Sequence, residues 1–246
     1  MADSNSFNFQ QERTFKQIFS DAFSFLKIQG KAYYFQIFLY AAPFFAVSGY
    51  YSSIAAIKIN QTQNLFSAPE LLYSFIFEFL AEIMLNGISY AFIILYIQNK
   101  EVTRGEIGYF FNQNLKLIIG STVLTSLLVY SGFILFIVPG IILLPPMSLY
   151  VFDKLYNKQP LVVTYVRSME LSRFDRRLSY GVILSLFLGT FLVKQIVGSF
   201  VPISSHHFML FQIIIHVIVS VFCSISSIVI SLLYFSLISK ITKNPL

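Results

Sequence analysis

Charge is scarce in this chain of 246 residues. Only 11% of the residues are Asp, Glu, Lys or Arg, whereas a soluble domain usually carries about 25%. More than half of the residues, 56%, are hydrophobic. Apolar stretches long enough for a bilayer-spanning helix, which needs roughly 20 residues, occur at Tyr33 to Ile57, Leu71 to Ile97, Leu117 to Phe152, Tyr180 to Ile203 and Phe208 to Ser239. This composition excludes a soluble domain and predicts an integral membrane protein.

The chain also lacks the residues and motifs that most catalytic and metal sites need. Its one cysteine, Cys223, lies inside the last apolar stretch and cannot form an intramolecular disulfide. His206, His207 and His216 have neither the spacing nor the carboxylate partners of a zinc motif. No nucleophile elbow, P-loop or dinucleotide-binding glycine pattern occurs. The sequence therefore predicts no enzyme, no metal site and no cofactor.

The positive net charge of +6 does not indicate nucleic acid as a partner. The cations lie between the apolar stretches, where cytoplasmic loops of membrane proteins are commonly enriched in Lys and Arg. The first apolar stretch follows about thirty residues that include Asp3, Glu12 and Asp21, and no small-residue cleavage site follows it. We therefore expect no secretory signal peptide.

Loop charges decide whether the run from Leu117 to Phe152 crosses the bilayer once or twice. A single helix of that length would measure about 54 Å, against a hydrocarbon core of roughly 30 Å. If the run is a helical hairpin, the cations after it share one side with those that precede the first and third spans. The cations after the run are Lys154, Lys158, Arg167, Arg173, Arg176 and Arg177. Because that side should be cytoplasmic, we predict a hairpin and cytoplasmic N- and C-termini.

Two pairs of helix-breaking residues interrupt this run. Pro139 removes a backbone donor, and Gly140 can adopt the left-handed geometry that ends a helix, so we predict the outer turn of the hairpin there. Pro145 and Pro146 lie within the short return span, and we expect a kinked or partly non-helical segment, which must be shielded by protein or face water.

The resulting fold class is an all-α polytopic membrane protein. We predict six transmembrane helices with short interfacial amphipathic helices preceding spans 1, 3 and 5. The amphipathic stretches begin near Phe15, Ile107 and Pro160, where apolar residues at helical spacing alternate with cations. As domains we expect a cytoplasmic N-terminal segment with an amphipathic helix (residues 1–32), one six-span membrane domain (33–239) and a cytoplasmic tail (240–246).

Four ionisable residues lie within the predicted spans, where charge is costly and commonly functional. At 1.5 Å per residue, Glu78, Glu82, Lys194 and His216 fall at similar depths of about 10–16 Å from the outer ends of their helices. We predict that Lys194 pairs with Glu82 or Glu78 and that His216 lies nearby. One interpretation is a structural ion pair that sets helix register; the other is a transport or ligand-binding site. The last span also carries a stripe of small serines suited to close helix packing.

From Ile134 to about Leu188 the chain resembles a known family. An apolar run ends in Pro139 and Gly140, a second apolar stretch and a polar turn follow, and the segment VTYVRSMELSRFDRR leads into a span. This arrangement is similar to the integral-membrane domain found attached to some bacterial glycerophosphodiester phosphodiesterases and alone in uncharacterised bacterial membrane proteins. The chain has no soluble phosphodiesterase domain. The resemblance implies a bacterial inner-membrane location and a link to glycerophospholipids, and it implies no catalysis.

The basic stretch before the fifth span predicts contact with lipid. Arg167, Arg173, Arg176 and Arg177 can hold anionic lipid headgroups at about 1 kcal/mol per cation. The leading functional prediction is a non-enzymatic inner-membrane protein that acts in envelope or lipid homeostasis or as an accessory to another membrane protein. The alternative is a small-solute or ion transporter that uses the Glu78, Glu82 and Lys194 cluster, because interrupted helices commonly frame such sites.

Overall fold

The chain is all-α in the computed structural model, which describes residues 7–98, 102–135, 137–199 and 207–243. A short 3-10 helix, Leu65–Ser67, joins the second and third α-helices. The α-helices are α1 (Phe15–Tyr40), α2 (Ala42–Thr62), α3 (Glu70–Ile97), α4 (Arg104–Leu135), α5 (Ile137–Asn157), α6 (Leu161–Phe174), α7 (Arg176–Ser199) and α8 (Phe208–Lys243). The predicted fold class, an all-α polytopic membrane protein, is confirmed.

Five helices are long and apolar enough to cross a bilayer, namely α3, α4, α5, α7 and α8. Helices α1 and α2 meet this criterion together, bent by 51° relative to each other, and raise the number to six. Their break at Ala41 falls inside the first predicted span. Pro43 in the first turn of α2 explains the break, because without an N–H it cannot donate to the carbonyl of Leu39.

The three predicted amphipathic stretches differ in how they are built. The first is the beginning of α1, which runs without interruption across the predicted boundary at residue 32. The second is the first part of α4, a single helix about 48 Å long. The third is a helix of its own, α6, and it starts directly after Pro160 as predicted. The first two stretches therefore extend the following helices instead of forming separate ones.

The structure contains the predicted hairpin of α4 and α5, but its turn does not lie at Pro139 and Gly140. The two helices meet on either side of residue 136, so both residues belong to the first turn of α5. Gly140 is not left-handed, and no described glycine has a positive φ. Glycine is needed here for close approach: a Cβ on Gly140 would lie 2.6 Å from the Phe133 ring, and one on Gly132 would lie 3.0 Å from the Gly140 backbone.

Of the expected kinked or partly non-helical segment at Pro145 and Pro146, the non-helical part is wrong, and the kink stays a prediction. Both prolines are buried within the continuous helix α5. Each proline lacks an N–H and leaves the carbonyl four residues earlier without its intrahelical donor. For Pro146 that carbonyl belongs to Ile142, and it accepts a hydrogen bond of 3.1 Å from the Tyr180 hydroxyl of α7. A neighbouring helix thus replaces the missing bond, as backbone at membrane depth requires.

Helix α8 forms the centre of the bundle and packs against α1, α2, α3, α5, α6 and α7. Its serine stripe is buried, as close helix packing requires, and comprises Ser220, Ser224, Ser227 and Ser231. The buried Tyr33 hydroxyl of α1 bonds the carbonyl of Ser224 at 2.7 Å and the hydroxyl of Ser89 in α3 at 3.0 Å. These bonds fix three helices at one level.

The bundle has two opposite ends. At the first, which we call the terminal end, Lys243 in the last turn of α8 lies 3.4 Å from Glu12 of the N-terminal segment. At the second, which we call the far end, α2 and α3 are joined by a polar turn, and Lys58 bonds Glu70 beside it. The side chains of Gln61, Thr62, Gln63 and Asn64 in this turn are exposed.

Candidate functional site

Three of the four ionisable residues predicted to cluster inside the bilayer are described with their side chains. Glu78 and Glu82 are half-buried on α3, one turn apart, and His216 is half-buried on α8. Glu78 lies about 12 Å along α3 from Glu70 at the far end. Lys194 belongs to α7, but its side chain lies outside the described residues. The pairing of Lys194 with a glutamate therefore stays a prediction, and so does the transport site built on it.

His216 contacts its own helix and α2. Its Nδ1 lies 2.9 Å from the carbonyl oxygen of Gln212, one turn earlier, and must donate because a carbonyl only accepts. A Cβ on Gly49 of α2 would lie 3.1 Å from the His216 ring. These contacts favour a packing role for the ring. Within the described ranges, no group of three or more His, Cys, Asp and Glu side chains could hold a metal ion.

A buried polar network at the terminal end, which the sequence analysis missed, joins α5, α6 and α8. Asp153 of α5 is only 1% exposed. Its Oδ1 accepts hydrogen bonds from the Tyr234 hydroxyl of α8, at 2.6 Å, and from the Asn157 amide. The Arg167 guanidinium of α6 lies 3.7 Å from the same oxygen. Lys154 is also buried, and its ammonium group bonds a backbone carbonyl of the α5–α6 connection.

A second network at the terminal end surrounds Arg13, which the sequence places among the cations of an amphipathic surface. Arg13 is only 1% exposed. Its Nε donates to Asp21 Oδ2 at 2.8 Å, and its other nitrogens donate to three backbone carbonyls between Asn8 and Gln11 at 2.5 to 3.1 Å. The backbone of Arg13 exchanges two hydrogen bonds with the Ser236 hydroxyl of α8. The N-terminal segment is thereby fixed against the C-terminal helix.

The sequence contained only partial signals for these two networks. Asp153 and Lys154 are the first charges after the long apolar run, which suggests a helix end at an interface. Arg13 precedes a helix that begins at Phe15, and Asp21 is two turns further on. Neither spacing identifies Tyr234 or Ser236 as a partner, because those residues lie far away along the chain.

Three arginines are exposed where α6 ends and α7 begins, a region we call the α6–α7 elbow: Arg173, Arg176 and Arg177. In the part of the chain that the structure describes, no carboxylate forms an ion pair with them. Asp175, which lies between them in sequence, is instead bonded by Lys240 of α8 at 2.7 Å. The fourth predicted lipid contact, Arg167, is 38% exposed and directs its charge toward Asp153.

The hydrogen-bond and ion-pair partners of Asp175 keep its carboxyl group ionised. Burial alone would raise the pKa of this carboxyl, but hydrogen bonds from the Lys240 ammonium group and the Leu178 N–H, together with the nearby positive charges, bring the pKa below its ordinary value. Asp175 therefore remains a carboxylate, with Lys240 as its ion-pair partner and the charge of Arg177 nearby.

Helix α6, which leads into the elbow, turns small polar residues toward the protein and apolar residues outward. Thr164, Ser168 and Ser172 are buried against neighbouring helices. The exposed apolar residues are Leu161, Val162, Val163 and Val166. Glu170 and Arg173, nearer the end of α6, are exposed as well. A surface helix in water has the opposite arrangement. The outer face of α6 is therefore suited to hydrocarbon, with the arginines at the end of the same helix.

Comparisons with known proteins give no assignment: no protein-family model, no curated protein and no solved structure matches this chain. The functional conclusion therefore depends on the residues described above. Among these, the α6–α7 elbow combines exposed positive charge with an exposed apolar face. The two buried networks connect helices to one another and leave little room for a ligand.

Proposed function

We propose that this chain is a non-enzymatic, multi-pass protein of the bacterial inner membrane that binds anionic phospholipids at the α6–α7 elbow and acts in envelope or lipid homeostasis. The terminal end, with both chain termini, faces the cytoplasm in this proposal. The observation that carries it is the set of three exposed arginines next to the apolar face of α6, with which no carboxylate among the described residues forms an ion pair.

The electrostatics of the elbow support this proposal. Two lysines at the end of α8 are paired, Lys240 with Asp175 and Lys243 with Glu12. Arg173, Arg176 and Arg177 have their charge available for an external anion. At about 1 kcal/mol per cation near an anionic surface, the three arginines contribute about 3 kcal/mol to lipid contact. The planar guanidinium group also matches phosphate oxygens in a bidentate manner.

The family resemblance also supports a role connected with lipids. The stretch from Ile134 to about Leu188, which includes the elbow, resembles a membrane domain that occurs beside enzymes of glycerophosphodiester chemistry. A domain of that kind is compatible with a role in lipid homeostasis or as an accessory to another membrane protein. Contact with a lipid headgroup at the elbow is common to both roles.

The proposal is tested by counting the lipids that the purified protein retains. We would replace Arg173, Arg176 and Arg177 with glutamine and measure bound phosphatidylglycerol and phosphatidylcholine by native mass spectrometry after extraction from mixed bilayers. The matched control replaces Lys16, Lys27 and Lys31 of α1, which are also exposed, with glutamine. Both variants lose three positive charges, so any effect of net charge alone on lipid retention is the same in both.

We expect the arginine variant to retain less phosphatidylglycerol than the lysine variant, with phosphatidylcholine unchanged in both. Addition of inorganic phosphate to the wild-type protein should not displace the lipid, because the apolar face of α6 also contributes to binding. Equal retention of phosphatidylglycerol by the two variants would contradict the proposal.

A further inference from the structure

The turn between α4 and α5 is apolar where a turn in water would be polar. The large residues on its two sides, Ile134, Leu135, Ile137 and Val138, are between 65% and 82% exposed. The α2–α3 turn at the far end offers a comparison within the same molecule, because Gln61, Thr62, Gln63 and Asn64 are polar and exposed. The two turns therefore suit different surroundings.

Helix α7 shows how far the α4–α5 turn extends along the bundle. Phe133, next to the turn, stacks on Phe187 of α7 with ring centroids 6.0 Å apart. Phe187 lies about 16 Å from Arg176 at the start of α7, and the helix continues for about 18 Å beyond Phe187. The turn is therefore level with the middle of α7, well short of its far end.

Helix α8 independently shows how far the α4–α5 hairpin extends along the bundle. Asp153 of α5 bonds Tyr234 of α8, so these two residues are at the same level. From there α5 extends about 21 Å to Pro139, whereas α8 extends about 39 Å to Phe208. By this measure too, the tip of the hairpin stops about 18 Å short of the end of a neighbouring membrane helix.

We propose that α4 and α5 form a re-entrant hairpin that does not reach the aqueous phase at the far end, and that the described residues at its tip, Ile134, Leu135, Ile137 and Val138, contact the acyl chains of the bilayer. Both helices then enter and leave on the side of the terminal end, so the order of all other spans is unchanged. This inference is independent of the lipid-headgroup proposal for the elbow.

The backbone at the tip is compatible with such a position. Irregular backbone in hydrocarbon is costly because its polar groups find no partners. Leu135 and Ile137, the described residues on either side of residue 136, are both helical. Pro139 in the first turn of α5 has no N–H and therefore removes one of the donors that a helix start leaves without a partner. The proline that predicts a turn thus fits a helix that begins within the bilayer.

Lipid is a better occupant for this tip than a second protein. Specific protein interfaces involve about 20–30 residues on each side, whereas the described residues of the tip present four large side chains. At the same level, α7 exposes Phe191 and Leu192, and α8 exposes Ile214 and Ile218. The tip therefore lies within an apolar belt that surrounds the molecule at this depth, and hydrocarbon covers that belt in a bilayer.

Thiol labelling tests the position of the tip. In the full chain with Cys223→Ser, we would compare Ile137→Cys with Gln61→Cys in proteoliposomes, using a membrane-impermeant maleimide and freeze–thaw cycles that admit it to both aqueous faces. We expect Gln61→Cys to react fully and Ile137→Cys to remain at the level of the cysteine-free protein. Both variants should react equally in dodecyl sulfate, which shows that the thiols are intact. Labelling of Ile137→Cys at the rate of Gln61→Cys would overturn the proposal.

A nitroxide at the same position distinguishes lipid from protein. We expect frequent collisions with dissolved oxygen, which concentrates in hydrocarbon, and few with a water-soluble nickel chelate. Few collisions with both would show that protein covers the tip, and frequent collisions with the chelate would show water; either result would reject an acyl-chain contact. Ile134→Cys serves as a second variant if Ile137→Cys does not fold.

Discussion

The terminal end and the far half of the bundle are held together in different ways. At the terminal end, Arg13 and Asp153 are each 1% exposed and bonded to several partners. Toward the far end, large apolar side chains of several helices are exposed, including Leu72 of α3, Leu192 of α7 and Leu210 of α8. Since lipid tails are as apolar as the side chains they cover, helices gain little by association there. Buried networks of several bonds fix the terminal end. Farther along the bundle, α2 and α3 are bonded through Ser48 and Ser74 and through Lys58 and Glu70, whereas the exposed apolar faces depend on the bilayer.

The largest effect is expected from the Arg13 network at the terminal end. Arg13→Met removes the charge and the hydrogen bonds that the guanidinium donates to Asp21 and to three carbonyls. We expect this change to destabilise the protein by about 3 kcal/mol, as is typical for breaking a buried pair. Thermal unfolding in detergent measures the loss. Lys16→Met, at an exposed position of the same region, is the control. Similar unfolding temperatures for both variants would contradict the role given to Arg13.

The second largest loss of stability is expected when the close backbone contact in the α4–α5 hairpin is disturbed. Gly140→Ala places a Cβ 2.6 Å from the Phe133 ring, and such overpacking costs about 1–3 kcal/mol. Gly120→Ala on α4 is the matched control, because no atom lies within 4 Å of its Cβ, and it should be neutral or stabilising. Phe133→Leu in the Gly140→Ala background should recover part of the loss. An unchanged unfolding temperature for Gly140→Ala would refute the close contact.

A smaller effect is expected from the bond between α7 and α5. Tyr180→Phe removes the donor to the Ile142 carbonyl, and interhelical hydrogen bonds in membranes contribute about 0.6 kcal/mol on average and at most about 1.7. Pro146→Ala restores an intrahelical N–H to the same carbonyl. We therefore expect Tyr180→Phe to cost less in the Pro146→Ala background when both are measured by unfolding. Additive effects of the two changes would show that Tyr180 does not compensate for the proline.

The smallest effect is a pH dependence at the elbow. The pKa of Asp175 in the folded protein is below its ordinary value. Its bond to Lys240 therefore stabilises the folded protein fully at pH values above the ordinary carboxyl pKa of about 3.9. This stabilisation is lost as the pH falls through the lower pKa of the folded state. The wild-type protein should unfold at a higher temperature than Asp175→Asn at neutral pH. The difference should shrink in acid; a difference that is constant with pH would exclude the ion pair as its cause.

Features that depend on neighbouring residues in the chain were predictable. The apolar stretches led to the helices, and the cations around the run from Leu117 to Phe152 led to the hairpin of α4 and α5. The predictions were wrong where a residue type can have two structural roles. Gly140 was interpreted as a left-handed turn residue, but it serves close packing against Phe133. Pro145 and Pro146 were interpreted as helix breakers, but a bond from Tyr180 supports the helix that contains them.

The sequence by itself determined that this protein lies in a membrane, is helical and carries its positive charge in a few clusters, because hydrophobicity and helical hydrogen bonding act over short distances along the chain. Only the tertiary structure decided which polar groups meet. Arg13 bonds Ser236, 223 positions away in the chain, and Asp153 bonds Tyr234, 81 positions away. A buried polar group needs a partner, but its own sequence neighbourhood does not specify which distant residue provides one.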